Sequence, residues 1–277
     1  DSSSVDTGYS DGSDWFFQMV FCATTCSIVS GTMAERVKIW PFFLFCAILA
    51  GVIYPIEMGW QWGGGHLAVS GFSDFAGSTL VHSAGASAAL AGAIVLGPRL
   101  GRFAKSGEAN TMEPFASSSI PLATLGVFIL WFGWFGFNGG SQLAMGSFDD
   151  STAVATIFIN TNLAACAGVM TCATISRLIG GKTDVVMMLN GALGGLVAIT
   201  AEPLAPSPLL ALIIGSIGGI IVYFGTIFLL RLKIDDVVGA IPVHGFAGIW
   251  GTLAVPISNN DASFGAQLYG ILWINIF

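Results

Sequence analysis

All nine lysines and arginines of this chain fall in four short stretches: Arg36 and Lys38; Arg99, Arg102 and Lys105; Arg177 and Lys182; Arg231 and Lys233. Apolar segments of spanning length separate these stretches. They lie near residues 15–34, 39–56, 75–97, 118–140, 152–176, 185–200, 208–230 and 237–257, and a ninth begins at 264. A helix needs about 20 apolar residues to cross the hydrocarbon core. The connections without basic residues carry Glu57, Asp74, Asp149, Asp150, Glu202 and Asp261 instead. Basic and non-basic connections alternate without exception, the signature of chain orientation in a bilayer. The first residues therefore face outward and the first span runs inward.

Composition agrees. Charged residues make up 9% of the chain and hydrophobic ones 54%, whereas soluble domains carry about 25% charged residues. The expected fold class is an all-α polytopic membrane protein. The 37 glycines suit closely packed membrane helices. A net charge of −7 with no basic patch excludes nucleic acid as a partner.

Cys22 and Cys26 share a helix face by their spacing. With no second ligand pair in sight they read as packing residues, so neither metal nor cofactor is expected. The acidic opening, with Asp6, Asp11 and Asp14, has the wrong spacing for a calcium loop and reads as solvated. The chain is expected to be one membrane domain over 1–277, truncated at both ends, with 1–14 an extracytoplasmic loop.

Ionisable residues inside a membrane are costly and mark function. Two histidines sit inside spans, and each follows an aspartate by eight residues: His82 after Asp74, His244 after Asp236. Eight helical residues rise about 12 Å, close to half of a hydrocarbon core of about 30 Å. The spans bearing them run in opposite directions, so the imidazoles reach one central depth from opposite sides, as an inverted repeat would place them. Two neutral imidazoles offer a donor and an acceptor to a small polar solute, or a proton relay. The competing reading is two unrelated histidines, each bonded to a neighbouring helix. His66 lies in an outer loop and reads as solvated.

The strings "MVFCATTCSIVSGTMAER", "MGWQWGGG", "DFAGSTLVHSAGASAALAGA", "GWFGFNGGS" and "VHGFAGIWG" resemble the ammonium transporter (Amt) family of the Amt/Mep/Rh superfamily, in the family's order over nearly the whole chain. The resemblance implies eleven spans, ten of them in an inverted five-plus-five repeat around a narrow pore. This chain would supply spans three to ten and the start of the eleventh, with the first two helices missing. His82 and His244 would be the twin histidines that line the pore and relay protons. Trp62, Ser141 and Phe21 would form an outer recruitment site supported from beneath by Asp74. Phe21 and Phe137 would gate the pore, and Trp134 would line it. By themselves these aromatics read equally as core or interfacial residues, and Asp74 as a helix cap.

The resemblance further implies transport of ammonium or ammonia (methylammonium serving as an analogue) through the plasma or inner membrane. It also implies a homotrimer in the lipid bilayer and, in bacteria and archaea, a PII-type signalling protein on the cytoplasmic face. Three readings compete. One is an ammonium-sensing domain of a signalling protein. Another is a Rh-type ammonia channel, against which Trp62 argues. The third is an intramembrane enzyme, which lacks a nucleophile or metal set.

Overall fold

The computed structural model describes residues 9–103 and 115–277; Asp6 and Lys105 lie outside this range. The elements are α1 (Asp11–Met33), α2 (Ile39–Ile48, continued through a wide π-helical turn Leu49–Ile53 into Tyr54–Gln61) and the short α3 (His66–Val69). They continue with α4 (π turn Ser78–Ser83, then Ala84–Leu96), α5 (Ile120–Gly140), α6 (Phe148–Gly180) and α7 (Val185–Ile199). Last come α8 (Pro208–Arg231), α9 (π turn Ile241–Phe246, then Ala247–Ser258) and α10 (Phe264–Ile276). Among the described residues seven helices are long and apolar enough to span a membrane, and α7 and α10 are shorter apolar helices.

Local chemistry sets the ends. Ser10, Ser119, Ser147, Asp184, Ser207 and Ser263 cap their helices by accepting backbone N–H bonds. Gly97 and Gly181, at φ 71° and 73°, stop α4 and α6.

Two expectations need correction. Residues 11–14 begin α1 rather than ending a loop. Glu57 is not in a connection: α2 runs on to Gln61, and Glu57 is buried within it. His66 is exposed, as expected. Its ring sits 5.1 Å from both Trp60 and Trp273, where exposed aromatic faces would gather at a membrane interface.

The alternation of charge has a structural counterpart. The α1–α2, α4–α5 and α8–α9 connections meet at one end of the bundle, where Asp235 accepts from Arg99 Nε at 2.8 Å and pairs with Arg36 and Arg102 at 3.4 Å each. Arg99 also pairs with Glu35. Burial pushes the Asp235 carboxyl up, but the hydrogen bonds from Arg99 and the charge of Arg36 outweigh it and hold it below the usual carboxylate range.

At the heart of the bundle α6, α7 and α8 pack without intervening side chains. The Ala164 carbonyl of α6 lies against both Gly195 of α7 and Gly215 of α8, and Gly168 lies against the Gly191 carbonyl. Lipid is as apolar as leucine, so such backbone approach, rather than water exclusion, holds membrane helices together. By contrast α5 and the α2 span bury only 6% and 11% of their most apolar windows. A Gly215→Ala substitution places a methyl inside contact distance of the Ala164 carbonyl. It should lower the unfolding free energy by about 1–3 kcal/mol, read as a lower midpoint in a detergent thermal-unfolding scan.

Candidate functional site

Both histidines ride on broken helix starts. Asp74 precedes the π turn of α4, and its carboxylate accepts four backbone N–H bonds: from Gly77 and Ser78 at 3.1 and 2.8 Å, and from Thr79 and Leu80 at 2.8 Å each. Gly77 takes φ 102°, a conformation that only glycine adopts cheaply. The second half repeats the device. Asp236 accepts from Ile241 N at 2.7 Å and from Thr32 Oγ1 at 3.0 Å, and Gly239 takes φ 80°. The first break is tied to α9 by a 2.6 Å bond between Thr79 and Thr252 and to α7 by Ser78 Oγ donating to Val197 O at 2.7 Å.

These turns bring His82 and His244 together, Nδ1 to Nδ1 at 3.1 Å with ring centroids 5.0 Å apart. One Nδ1 must donate and the other accept. A neutral pair therefore leaves one Nε2 as acceptor and the other as N–H donor. His82 is 1% exposed and its Nε2 has no hydrogen-bond partner. Trp134 and Phe137 stack on His82 at 5.0 and 5.3 Å between centroids. The Trp134 indole is held by its N–H donating to Thr200 Oγ1 at 2.8 Å.

Beyond them, toward the end opposite the Asp235 cluster, Phe21 and Phe137 lie 4.3 Å apart, centroid to centroid. Outside this pair is a cavity of about 190 Å³ with Phe21, Trp62 and Ser141 in its wall. Ser141 Oγ donates its proton to Phe137 O at 2.9 Å, which leaves its lone pairs as acceptors. Two further cavities touch His82. One of about 350 Å³ lies beneath Phe21 and Phe137; the other, of about 430 Å³, contains both histidines and runs on to Asn190 and Val238.

The expected residues thus fall into one continuous arrangement, with one difference. Asp74 is not in the wall of the outer cavity, because its carboxylate is consumed by backbone N–H groups. It meets that site only through its carbonyl, which accepts from the Trp62 indole at 3.1 Å. Among the thiols, Cys26 is buried in the core and Cys22 donates to Ala50 O at 3.3 Å.

Sequence reasoning missed two things. Glycine and valine recur at matching offsets, so that Asp74, Gly77, Val81 and His82 correspond to Asp236, Gly239, Val243 and His244. That repeat was available to a direct comparison of the two halves. The hold of Thr200 on Trp134, across 66 residues, carries no sequence signal.

A bundle of apolar helices of spanning length, with paired imidazoles at its centre beside two cavities, defines a polytopic membrane protein. The sequence profile of the Ammonium Transporter Family matches residues 2–274, and the chain belongs to that family. It is 45% identical to a putative ammonium transporter of Synechocystis sp. over 272 residues, covering 96% of this chain and 60% of the relative. It is 46% identical to the ammonium transporter Amt2 of Archaeoglobus fulgidus over 261 residues, covering 91% and 54% respectively. The chain therefore spans little more than half the length of these relatives. Among solved structures it matches a sensor Amt protein at TM-score 0.88 and 38% identity, covering 95% of this chain and 68% of that one. It matches Mep2 of Candida albicans at TM-score 0.81 and 28% identity, covering 92% and 59%.

Replacing Asp74 by Asn removes acceptor capacity facing four N–H donors and sets an amide donor against them. An Asp74→Asn protein should lose about 3 kcal/mol of stability, read as a lower midpoint in a detergent thermal-unfolding scan. Unchanged thermal unfolding would rule out the anchoring role.

Proposed function

We propose that this chain is the pore-forming part of a protein that moves ammonium across the plasma membrane. The cation is recruited at Trp62, Phe21 and Ser141, gives up a proton near Phe21 and Phe137, and crosses as ammonia past His82 and His244. The observation that carries this reading is the Nδ1–Nδ1 pair of His82 and His244, with the buried His82 Nε2 unpartnered between two cavities. Family membership supports it, and so do relatives described as ammonium transporters.

The energetics favour releasing the proton. Carrying an intact cation through the centre costs about 3 kcal/mol on insertion scales and far more on an isolated helix. Removing a proton from an amine at neutral pH costs roughly 3–5 kcal/mol, taking lysine as the guide. Neutral ammonia accepts and donates hydrogen bonds, matching a pair that presents one acceptor and one donor. At the mouth, the faces of Trp62 and Phe21 attract a cation by about 0.5–2 kcal/mol each. Ser141 accepts a hydrogen bond that potassium, of similar size, cannot donate.

Further expectations rest on the family alone: a homotrimer in the bilayer, the Asp235 cluster facing the cytoplasm, and a PII-type signalling protein docking there. A second reading, an ammonium-sensing domain, is favoured by the TM-score of 0.88 to a sensor Amt protein. Binding without flux in proteoliposomes of the full-length protein would decide for it.

In full-length protein, His82→Ala and His244→Ala should each alter methylammonium uptake and its discrimination against potassium. If both stay at wild-type values the pore assignment of the pair is wrong. Trp62→Leu should raise the apparent KM about 2- to 30-fold, the affinity equivalent of one cation–π contact, while the saturating rate changes less. An unchanged KM sinks the recruitment argument.

A further inference from the structure

We propose that Asp14 is the charged component of the outer recruitment site, a carboxylate that holds the incoming cation by ion pairing while Trp62, Phe21 and Ser141 decide which cation stays. The inference rests on the recruitment reading above and adds a residue and a division of labour to it.

Asp14, Phe17, Gln18 and Phe21 occupy i, i+3, i+4 and i+7 of α1. That spacing puts them on one helical face, and all four line the 190 Å³ cavity with Trp62 and Ser141. Asp14 stands seven residues, about 10 Å of helix rise, outward from Phe21, where an ion passes before it meets the aromatic pair. No lysine or arginine lines this cavity.

The oxygen atoms here are also uncommitted. Among the described residues no hydrogen bond or ion pair occupies the Asp14 carboxylate, whereas Asp150 bonds Ser147 and Gln142 and Asp74 is saturated by backbone N–H groups. Gln18 Oε1 is buried and has no partner, a state that costs free energy unless a donor arrives. An ammonium ion has four N–H donors. Asp14, Gln18 and Ser141 supply acceptors in the cavity wall, and the rings of Trp62 and Phe21 supply π faces. A carboxylate attracts ammonium, methylammonium and potassium alike, because Coulomb attraction depends on charge and distance. Asp14 therefore contributes affinity without selectivity.

A first-turn acid also suits the positive end of a helix, so a purely structural role must be separated from a binding one. The test is methylammonium uptake by the full-length protein in proteoliposomes at low ionic strength, comparing Asp14→Asn, Asp14→Glu and Trp62→Leu. Asp14→Asn should raise the apparent KM about five-fold, with the saturating rate per inserted protein far less affected and with potassium competition weakened in the same proportion. Asp14→Glu keeps the charge and should restore most of the affinity. Raising choline chloride to physiological ionic strength should raise the wild-type KM and flatten the difference from Asp14→Asn, because screening acts over about 8 Å.

A wild-type KM in Asp14→Asn beside a raised KM in Trp62→Leu overturns the proposal and leaves the recruitment site standing. A wild-type KM in both removes the recruitment reading and this proposal with it. An Asp14→Asn defect confined to the amount of folded protein, with normal KM, assigns the residue to helix stability alone and also overturns the proposal.

Discussion

The arrangement hangs on two carboxylates that accept backbone hydrogen bonds inside a membrane protein. Asp74 and Asp236 sit where α4 and α9 begin as wide turns instead of regular helices. Such turns leave N–H groups without intrahelical partners, and no water is at hand in a bilayer to satisfy them. Each aspartate supplies that missing acceptor, four times over in the case of Asp74. The rest follows in sequence. The turn points His82 at His244, the Asp74 carbonyl holds the Trp62 indole, and the stitched crossing of α4 and α9 fixes the depth at which the imidazoles meet. One residue thus braces the outer aromatic site and the central pair at once.

Around this core the helices divide labour. In α6, α7 and α8 glycines bring backbones into direct contact and make a rigid wall. The α1 helix carries the path instead. Its face begins at Asp14, passes Phe17 and Phe21, and reaches Thr24 and Ser27 in the cavities that touch the histidines. A single stripe on one helix therefore changes from acidic to aromatic to hydroxylic along these cavities. The Asp235 cluster ties three connections together at the far end.

Much of this was legible in the chain. Spanning segments, their alternating direction and the matched depth of the histidines follow from length and charge placement, because bilayer thickness and the positive-inside bias act on sequence directly. The helix boundaries were less accurate. The sequence reading put Glu57 in a connection because it is charged, whereas α2 continues past it and buries it. It read Asp74 as supporting the outer site from beneath and as a helix cap; the carboxylate accepts the N–H groups of the turn and the carbonyl accepts the Trp62 indole.

By itself, then, the sequence determined the class of protein, the apolar segments that form its helices, and the two residues that would meet at its centre. These depend on hydrophobic length, on charge in short loops and on counting along a helix. Only the tertiary structure decided how the imidazoles meet, Nδ1 to Nδ1, which aromatic rings lie against them, and which carboxylates are spent on the backbone rather than left for a ligand. Those are matters of which side chains are brought together across many tens of residues. No local pattern encodes such contacts, because they exist only once the helices have packed.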